Sequence, residues 1–476
     1  MDESRTQAAA LAEAAAHSAQ TPYDDAERSR RMRKVIWAAG AGHFVEWFDF
    51  GLYGTLATVI SLNFFQQGNT QAALLSAFAV FGAGFVMRPL GGLFWGSLGD
   101  RIGRKTVLAT VILVTSGATV VMGLLPTFDL IGLWAPILLV IVRLVQGFAA
   151  GGESSGATTL LAEYAPSNRR GFVTSFIDVF GFAAFVVGAG LVLLFTSTLG
   201  TDALNEWGWR ALFFLALPLG LAGLYLRNKL EDTPEFQAIQ AKGAVSKSPL
   251  RTSLRTSWKA LLFCVGFVVI KAVGHWILQT FMPSYLQTDL GYSQPLSYGV
   301  TVLGLLAIAI LVPFMGLLSD RIGRKPVMIA GCVGFLVLTY PTLMLMSAGN
   351  FAAAAVAMVI LGVFMAAYDG ASSAAMAELF PTSIRYGSMA IAYNLSVAVF
   401  GGITPYFATF LIASTGNRFA PAFYVMAAAL ITLIVVLRAR ETAFRDNSAG
   451  EVAQVEVRVF EHVRGLDGVA RLVGRR

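Results

Sequence analysis

His43, Glu46, Asp49 and Tyr53 stand within one otherwise apolar stretch, Gly42-His-Phe-Val-Glu-Trp-Phe-Asp-Phe-Gly-Leu-Tyr53. On an α-helix advancing about 100° per residue they form a single stripe about 120° wide. A charge at bilayer depth costs at least ~2.5 kcal/mol even on lenient insertion scales, so such a stripe must meet water, a cavity or cations on a neighbouring helix. Buried carboxylates whose proton occupancy changes when a neighbour or a ligand moves are what a proton carrier needs. The same residues also fit a static ion pair, with Glu46 or Asp49 holding Arg88 and locking two helices together.

Two further groups repeat the pattern. Arg143, Gln146 and Glu153 share a face of a run that also holds the glycines between Gly147 and Gly156. Those glycines allow close helix packing. Arg143 can fork a substrate carboxylate or pair with Asp49, Glu153 or Asp178. Lys271, His275 and Gln279 recur at i, i+4 and i+8, again one polar stripe; His275 also fits a hydrogen-bonded packing role. At about 1.5 Å per residue, Glu46, Arg143 and Lys271 each fall roughly 15–17 Å into their runs, near the middle of a ~30 Å core. Proton coupling is therefore expected at Glu46, Asp49 and Glu153. Substrate contacts are expected at His43, Tyr53, Arg88, Arg143, Gln146, Lys271, His275 and Gln279, with Asp178, Tyr368, Asp369 and Asn394 as lesser lining candidates.

The elements that must hold these residues are apolar. The chain of 476 residues is 56% hydrophobic and only 13% charged, and its mean hydropathy is +0.66. Soluble domains carry about 25% charged residues, so lipid must solvate much of this surface. Twelve apolar runs follow, near 35–62, 72–95, 106–125, 133–161, 172–196, 209–226, 260–282, 297–318, 326–346, 352–377, 388–413 and 420–437. The reading is an all-α membrane protein of twelve transmembrane helices in two six-helix bundles, 35–226 and 260–437. A polar linker, 227–259, joins the bundles, and tails 1–34 and 438–476 flank them. The first tail lacks the apolar core of a secretory signal.

The halves echo each other. Gly96-Ser-Leu-Gly-Asp100-Arg101-Ile-Gly-Arg104-Lys105 returns as Gly316-Leu-Leu-Ser-Asp320-Arg321-Ile-Gly-Arg324-Lys325, and Ala162-Glu163-Tyr-Ala-Pro166 through Arg170 returns as Ala377-Glu378-Leu-Phe-Pro381 through Arg385. Two matched loops in equivalent places indicate duplicated units. In each loop the aspartate can cap a helix or pair with an arginine, so Asp100, Arg101, Arg104, Asp320, Arg321 and Arg324 are expected to form a breakable gate. Thirty of the 35 Lys and Arg residues sort to one side of this topology, which sets both termini in the cytoplasm by the positive-inside rule. The net charge of +7 thus calls for no nucleic acid. No Cys–His or His-x-x-x-His set supports an enzyme, and Cys264 and Cys332, inside apolar runs, suggest inert thiols rather than a metal site.

Twelve runs in two repeats with the Asp-Arg-Ile-Gly-Arg-Lys loops resemble the major facilitator superfamily. Within it, His43-Phe-Val-Glu46-Trp-Phe-Asp49, Arg88-Pro-Leu-Gly-Gly, Gln146-Gly, Gly151-Gly-Glu153, Trp207-Gly-Trp-Arg210, Glu231-Asp-Thr-Pro234 and Phe380-Pro-Thr-Ser-Ile-Arg385 resemble the metabolite:proton symporter family. Met282-Pro-Ser-Tyr285-Leu and Pro381–Gly402 look closest to its proline/betaine branch. The resemblance implies alternating access and import of a small metabolite with H⁺ as coupling ion, with Glu46, Asp49, Arg88 and Arg143 at or near the site. Family substrates include proline/betaine, α-ketoglutarate, citrate and shikimate. Lys271 and His275 depart from that branch, which tends to be uncharged there, and favour an anionic group on the substrate. The tail 441–476 lacks the sustained heptads that accompany osmosensing in the branch. The expectation is a monomeric, multi-pass carrier of the inner (plasma) membrane without a cofactor; a proton-coupled antiporter or exporter of a small organic solute is the alternative.

Overall fold

The computed structural model describes residues 25–66, 68–102, 104–151, 156–228, 258–380 and 382–443. Most of the linker and both tails lie outside these, as does Glu153; the side chains of Asp100, Arg101 and Arg104 also lie outside the described residues. Among the described residues every regular element is helical. This is the expected outcome where lipid offers the backbone no hydrogen-bond partners and the chain must satisfy its own.

In the amino-terminal half the helices are α1 (Asp25–Thr55), α2 (Ala57–Phe64), α3 (Thr70–Ile102), α4 (Arg104–Leu124), α5 (Trp134–Ala150), α6 (Gly156–Tyr164), α7 (Arg170–Leu199), α8 (Trp209–Phe214) and α9 (Ala216–Asn228). The carboxy-terminal half contains α10 (Trp258–Trp276), α11 (Met282–Thr288), α12 (Gln294–Ile322), α13 (Arg324–Met346), α14 (Phe351–Glu378), α15 (Thr382–Ser396), α16 (Thr404–Thr415) and α17 (Ala420–Arg438). Helix occupies each of the twelve apolar runs. Nine helical stretches among the described residues are long and apolar enough to cross a membrane, and Ala109–Leu124 and Trp134–Ala150 are shorter apolar helices.

The boundaries differ from the sequence reading in instructive places. Helix α1 starts at Asp25, ten residues before the apolar run, because its first turns are polar and need no lipid. The runs 260–282 and 388–413 are not single α-helices. A π-helical turn, Ile277–Phe281, joins α10 to α11, and another, Val397–Gly401, precedes α16. Each lies just before a proline, Pro283 and Pro405. The proline ring clashes with the carbonyl four residues back and removes one donor, and a widened turn relieves both.

Close packing sets the register of the polar residues. A Cβ on Gly147 would fall 1.7 Å from the Gly84 carbonyl oxygen, so α5 and α3 meet backbone to backbone. That approach brings Arg143 of α5 and Arg88 of α3 against α1. Between the halves, α12 lies along α7, with Gly316 and Gly171 at their contact. Large apolar side chains such as Phe314, Val337 and Ile141 point outward and are exposed, the reverse of a soluble protein and as lipid requires.

Candidate functional site

Helix α1 carries its predicted stripe inward. His43, Glu46, Asp49 and Tyr53 are all buried. Glu46 pairs with Arg88 of α3. Asp49 accepts a hydrogen bond from Thr119 of α4 at 2.8 Å and faces the Arg143 guanidinium at 3.5 Å. Gln146, one turn from Arg143, accepts from it at 3.0 Å and donates to Thr119 at 3.0 Å. Arg143 lies 3.7 Å from the centroid of the Tyr53 ring, and Phe50 is within 5.0 Å of Arg88 and 5.6 Å of Arg143. Every member belongs to the amino-terminal half. A buried charge is tolerated when paired and costly when its partner is removed, so this network holds α1, α3, α4 and α5 as one block.

A second ion cluster joins the halves. Lys271 of α10 donates from Nζ to Asp178 of α7 at 2.7 Å, to Asp369 of α14 at 2.9 Å and to Ser373 at 3.3 Å. Ser373 in turn donates to Asp178 at 2.7 Å, and His275 Nε2 is 2.7 Å from Asp369. Asp178, His275 and Asp369 are of metal-ligating type, but the ammonium of Lys271 sits among them and supplies the positive charge. The cluster lines a central cavity of about 20 Å³, room for about one water, bounded also by His43, Trp47, Gln279, Met376 and Tyr393. Among the described residues the amide oxygen of Gln279 is buried with no hydrogen-bond partner, an acceptor that a ligand or water would satisfy.

Among the described residues, both ends of the chamber carry contacts between the halves. On the face bearing the repeated basic loops, Asp320 at the end of α12 accepts from the backbone N–H of Gly171 and of Phe172, both at 2.8 Å. A carboxylate there meets the positive end of the α7 dipole. Arg324 donates to the same carboxylate at 2.7 Å and to Glu378 at 3.2 Å. Crossed pairs then join the two copies of the other matched loop across the halves: Arg170 faces Glu378 at 3.5 Å and Arg385 faces Glu163 at 3.6 Å. Glu441, just past α17, accepts from the backbone N–H of Arg324 at 3.0 Å and of Lys325 at 3.1 Å. Burial would raise its pKa, but these and the Thr442 and Ala443 amides hold it below the usual carboxylate value.

The opposite end is closed by aromatic and neutral contacts. Trp276 of α10 stacks on Trp47 with centroids 5.5 Å apart and meets Phe85 and Phe81 edge-on at 5.0 and 5.1 Å. Further out, Thr58 donates to Gln287 at 3.0 Å and Gln294 to Asn205 at 3.2 Å. Among the described residues, contacts between the two halves thus flank the chamber at both ends.

Comparison with known proteins agrees with this architecture. Residues 34–257 match the family described as Sugar (and other) transporter, and residues 299–467 match the Major Facilitator Superfamily. The glycine betaine/proline/ectoine/pipecolic acid transporter OusA of Dickeya dadantii is 42% identical over 87% of this chain and 84% of its own. The proline/betaine transporter of Escherichia coli K12 is 39% identical over 92% of this chain and 90% of its own. The chain belongs to the major facilitator superfamily, in its proline/betaine transporter branch. Among solved structures, the proton:xylose symporter XylE bound to 6-bromo-6-deoxy-D-glucose superposes with a TM-score of 0.69 at 18% identity, covering 87% of this chain and 97% of that one. This likeness shows the fold alone. The chain is a multi-pass membrane transporter of small molecules and not an enzyme.

Within this superfamily fold the predicted residues divide. His43, Lys271, His275 and Gln279 line the chamber. Glu46, Asp49, Tyr53, Arg88, Arg143 and Gln146 form the buried network beside it and are not among its lining residues. Asp320 and Arg324 sit in the latch, whereas Arg321 is exposed at the end of α12. Asp178 and Asp369, lesser candidates in sequence, are direct partners of Lys271. The sequence reading left Glu163, Arg170, Glu378 and Arg385 without a gating role. Their signal was available, since an acid and an arginine recur at the same spacing in both halves. Thr119 and Ser373 carried none, being hydroxyls of a common kind in apolar runs.

Proposed function

We propose that the chain is a proton-coupled symporter that imports a small carboxylate-bearing or zwitterionic metabolite by alternating access. It crosses the plasma membrane twelve times with both termini in the cytoplasm, and works as a monomer. The observation that carries the reading is the central cavity lined by ionisable groups from both halves, with Lys271 of one half bonded to Asp178 of the other. The basic loops, and with them the ionic latch, then face the cytoplasm, and the aromatic closure faces outside.

The relatives named above carry glycine betaine, proline, ectoine and pipecolic acid in their names, solutes with one carboxylate and a cationic nitrogen system. In this chamber Lys271 offers an ammonium for a carboxylate, while Trp47 and Tyr393 offer ring faces for the cationic or apolar remainder. Glu46 and Asp49, each beside an arginine of the same half, hold α1 in the block that flanks this chamber. Purified chain in proteoliposomes tests the reading. Proline or glycine betaine should accumulate against its gradient when the outside is acidic, and its entry should alkalinise the outside. Protons moving opposite to solute would make the chain an antiporter, and uptake indifferent to the proton gradient would refute coupling.

A further inference from the structure

We propose that Asp178 is an internal stand-in for the substrate's carboxylate, and that one proton binds Asp178 for each substrate carboxylate that takes its place on Lys271. This deepens, and rests on, the symport reading above. Among the described hydrogen-bond partners of Lys271, Asp369 and Ser373 belong to the carboxy-terminal half with it, as does His275 on Asp369, and Asp178 comes from the amino-terminal half. When the halves part, Lys271 keeps Asp369 and Ser373 and loses one carboxylate oxygen at 2.7 Å. Another carboxylate oxygen is the group that fits the vacated position; the cavity beside it is about 20 Å³ with the halves together, so the rest of the substrate enters as the halves part.

Charge then dictates the proton. Asp178 is faced by Lys271 and His275 from α10, Asp369 and Ser373 from α14, His43 from α1 and Tyr393 from α15, with the Glu46–Arg88 pair behind. If the chamber closed on a bound carboxylate with Asp178 still ionised, three carboxylates would crowd one ammonium and one imidazole. Like charges at that separation in a water-poor site repel strongly. Protonation of Asp178 from water on the open side removes the excess charge, and release to water on the other side restores it. Without substrate, ionised Asp178 returns to Lys271, so the empty carrier also closes.

The test compares L-proline with L-prolinamide, which lacks only the carboxylate charge, on the full chain in detergent and in proteoliposomes. The native chain should bind proline at least tenfold more tightly than prolinamide, and more tightly as the pH falls. Asp178→Asn should bind proline at high pH as the native chain does at low pH, exchange it across the membrane, and lose accumulation driven by the proton gradient. Lys271→Gln should lose the tenfold preference. The double variant Asp178→Asn/Lys271→Gln removes both buried charges together, keeps the Asp369–His275 pair, and should bind both probes equally. Preference retained in Lys271→Gln or in the double variant overturns the proposal, as does a persisting pH response in Asp178→Asn. If Asp178→Asn still accumulates proline with the gradient, coupling resides elsewhere and the symport reading stands alone. Failure of the native chain to bind proline, glycine betaine, pipecolate or α-ketoglutarate overturns both.

Discussion

The network around Arg88 and Arg143 and the cluster around Lys271 use the same residue types at similar depth, yet motion treats them differently. The first lies wholly within one half. On the proposed alternating-access cycle, rocking the halves apart leaves it intact, so its energy is common to every state and cancels from the transport equilibrium. The second spans the halves, and so do the latch at Asp320 and the crossed Arg170–Glu378 and Arg385–Glu163 pairs. Their energy is present only while their end is shut. On that proposed cycle, ion pairs inside a half build the carrier and ion pairs between halves set which way it faces.

This contrast can be broken experimentally. The largest effect is expected for Glu46→Gln, which leaves Arg88 buried without its counter-ion. Removing one partner of a buried pair costs about 3–5 kcal/mol, so the melting temperature of purified chain should fall by several degrees. Asp178→Asn should melt closer to the native chain, because Lys271 keeps Asp369; equal losses in the two variants would erase the distinction drawn here.

Next in size is the latch. Asp320→Asn weakens two hydrogen bonds from the start of α7 and one from Arg324, and bonds to charged groups are worth about 1.5–3 kcal/mol. Alkylation of a cysteine placed at Ser175, buried behind this contact, should accelerate roughly tenfold or more, without the loss of melting temperature shown by Glu46→Gln. No acceleration would mean that Asp320 does not hold this end shut. Arg385→Gln opens one of the two crossed pairs, whose Glu163 is partly exposed and 3.6 Å away, so about 1 kcal/mol is expected from the pair. Its alkylation effect should therefore be smaller than that of Asp320→Asn, and a larger one would transfer the gating role to the second repeat.

The smallest effect belongs to the opposite end. Thr58→Val removes one neutral hydrogen bond to Gln287, worth about 1 kcal/mol. It should favour opening on that side and slow alkylation at the latch by several-fold at most. A tenfold change would show that the polar rim, rather than the aromatic packing of Trp276, governs this closure.

How far the sequence carried the reading depends on whether a signal was local. Apolar runs, duplicated loops and ionisable residues at bilayer depth are all properties of short stretches, and the helices follow them. Interruptions at Ile277–Phe281 and Val397–Gly401 were missed although Pro283 and Pro405 mark them, because hydropathy does not register how a turn is wound. Among the site residues, the stripe His43–Tyr53 was legible because 3.6-residue periodicity places it on one face. Its partners were not, and the alternatives of a fork or an ion pair for Arg143 stayed open until α5 was placed against α1.

The sequence by itself determined that lipid solvates this chain, that it is a duplicated helical carrier, and which residues are too polar for their surroundings. Only the tertiary structure decided who pairs with whom. Lys271 meets Asp178 and Asp369 across 93 and 98 residues of chain, and nothing in a helix's own periodicity selects a partner so far away. The helix packing angles and glycine contacts do that. They separate the charges that hold a half together from those that join the two halves.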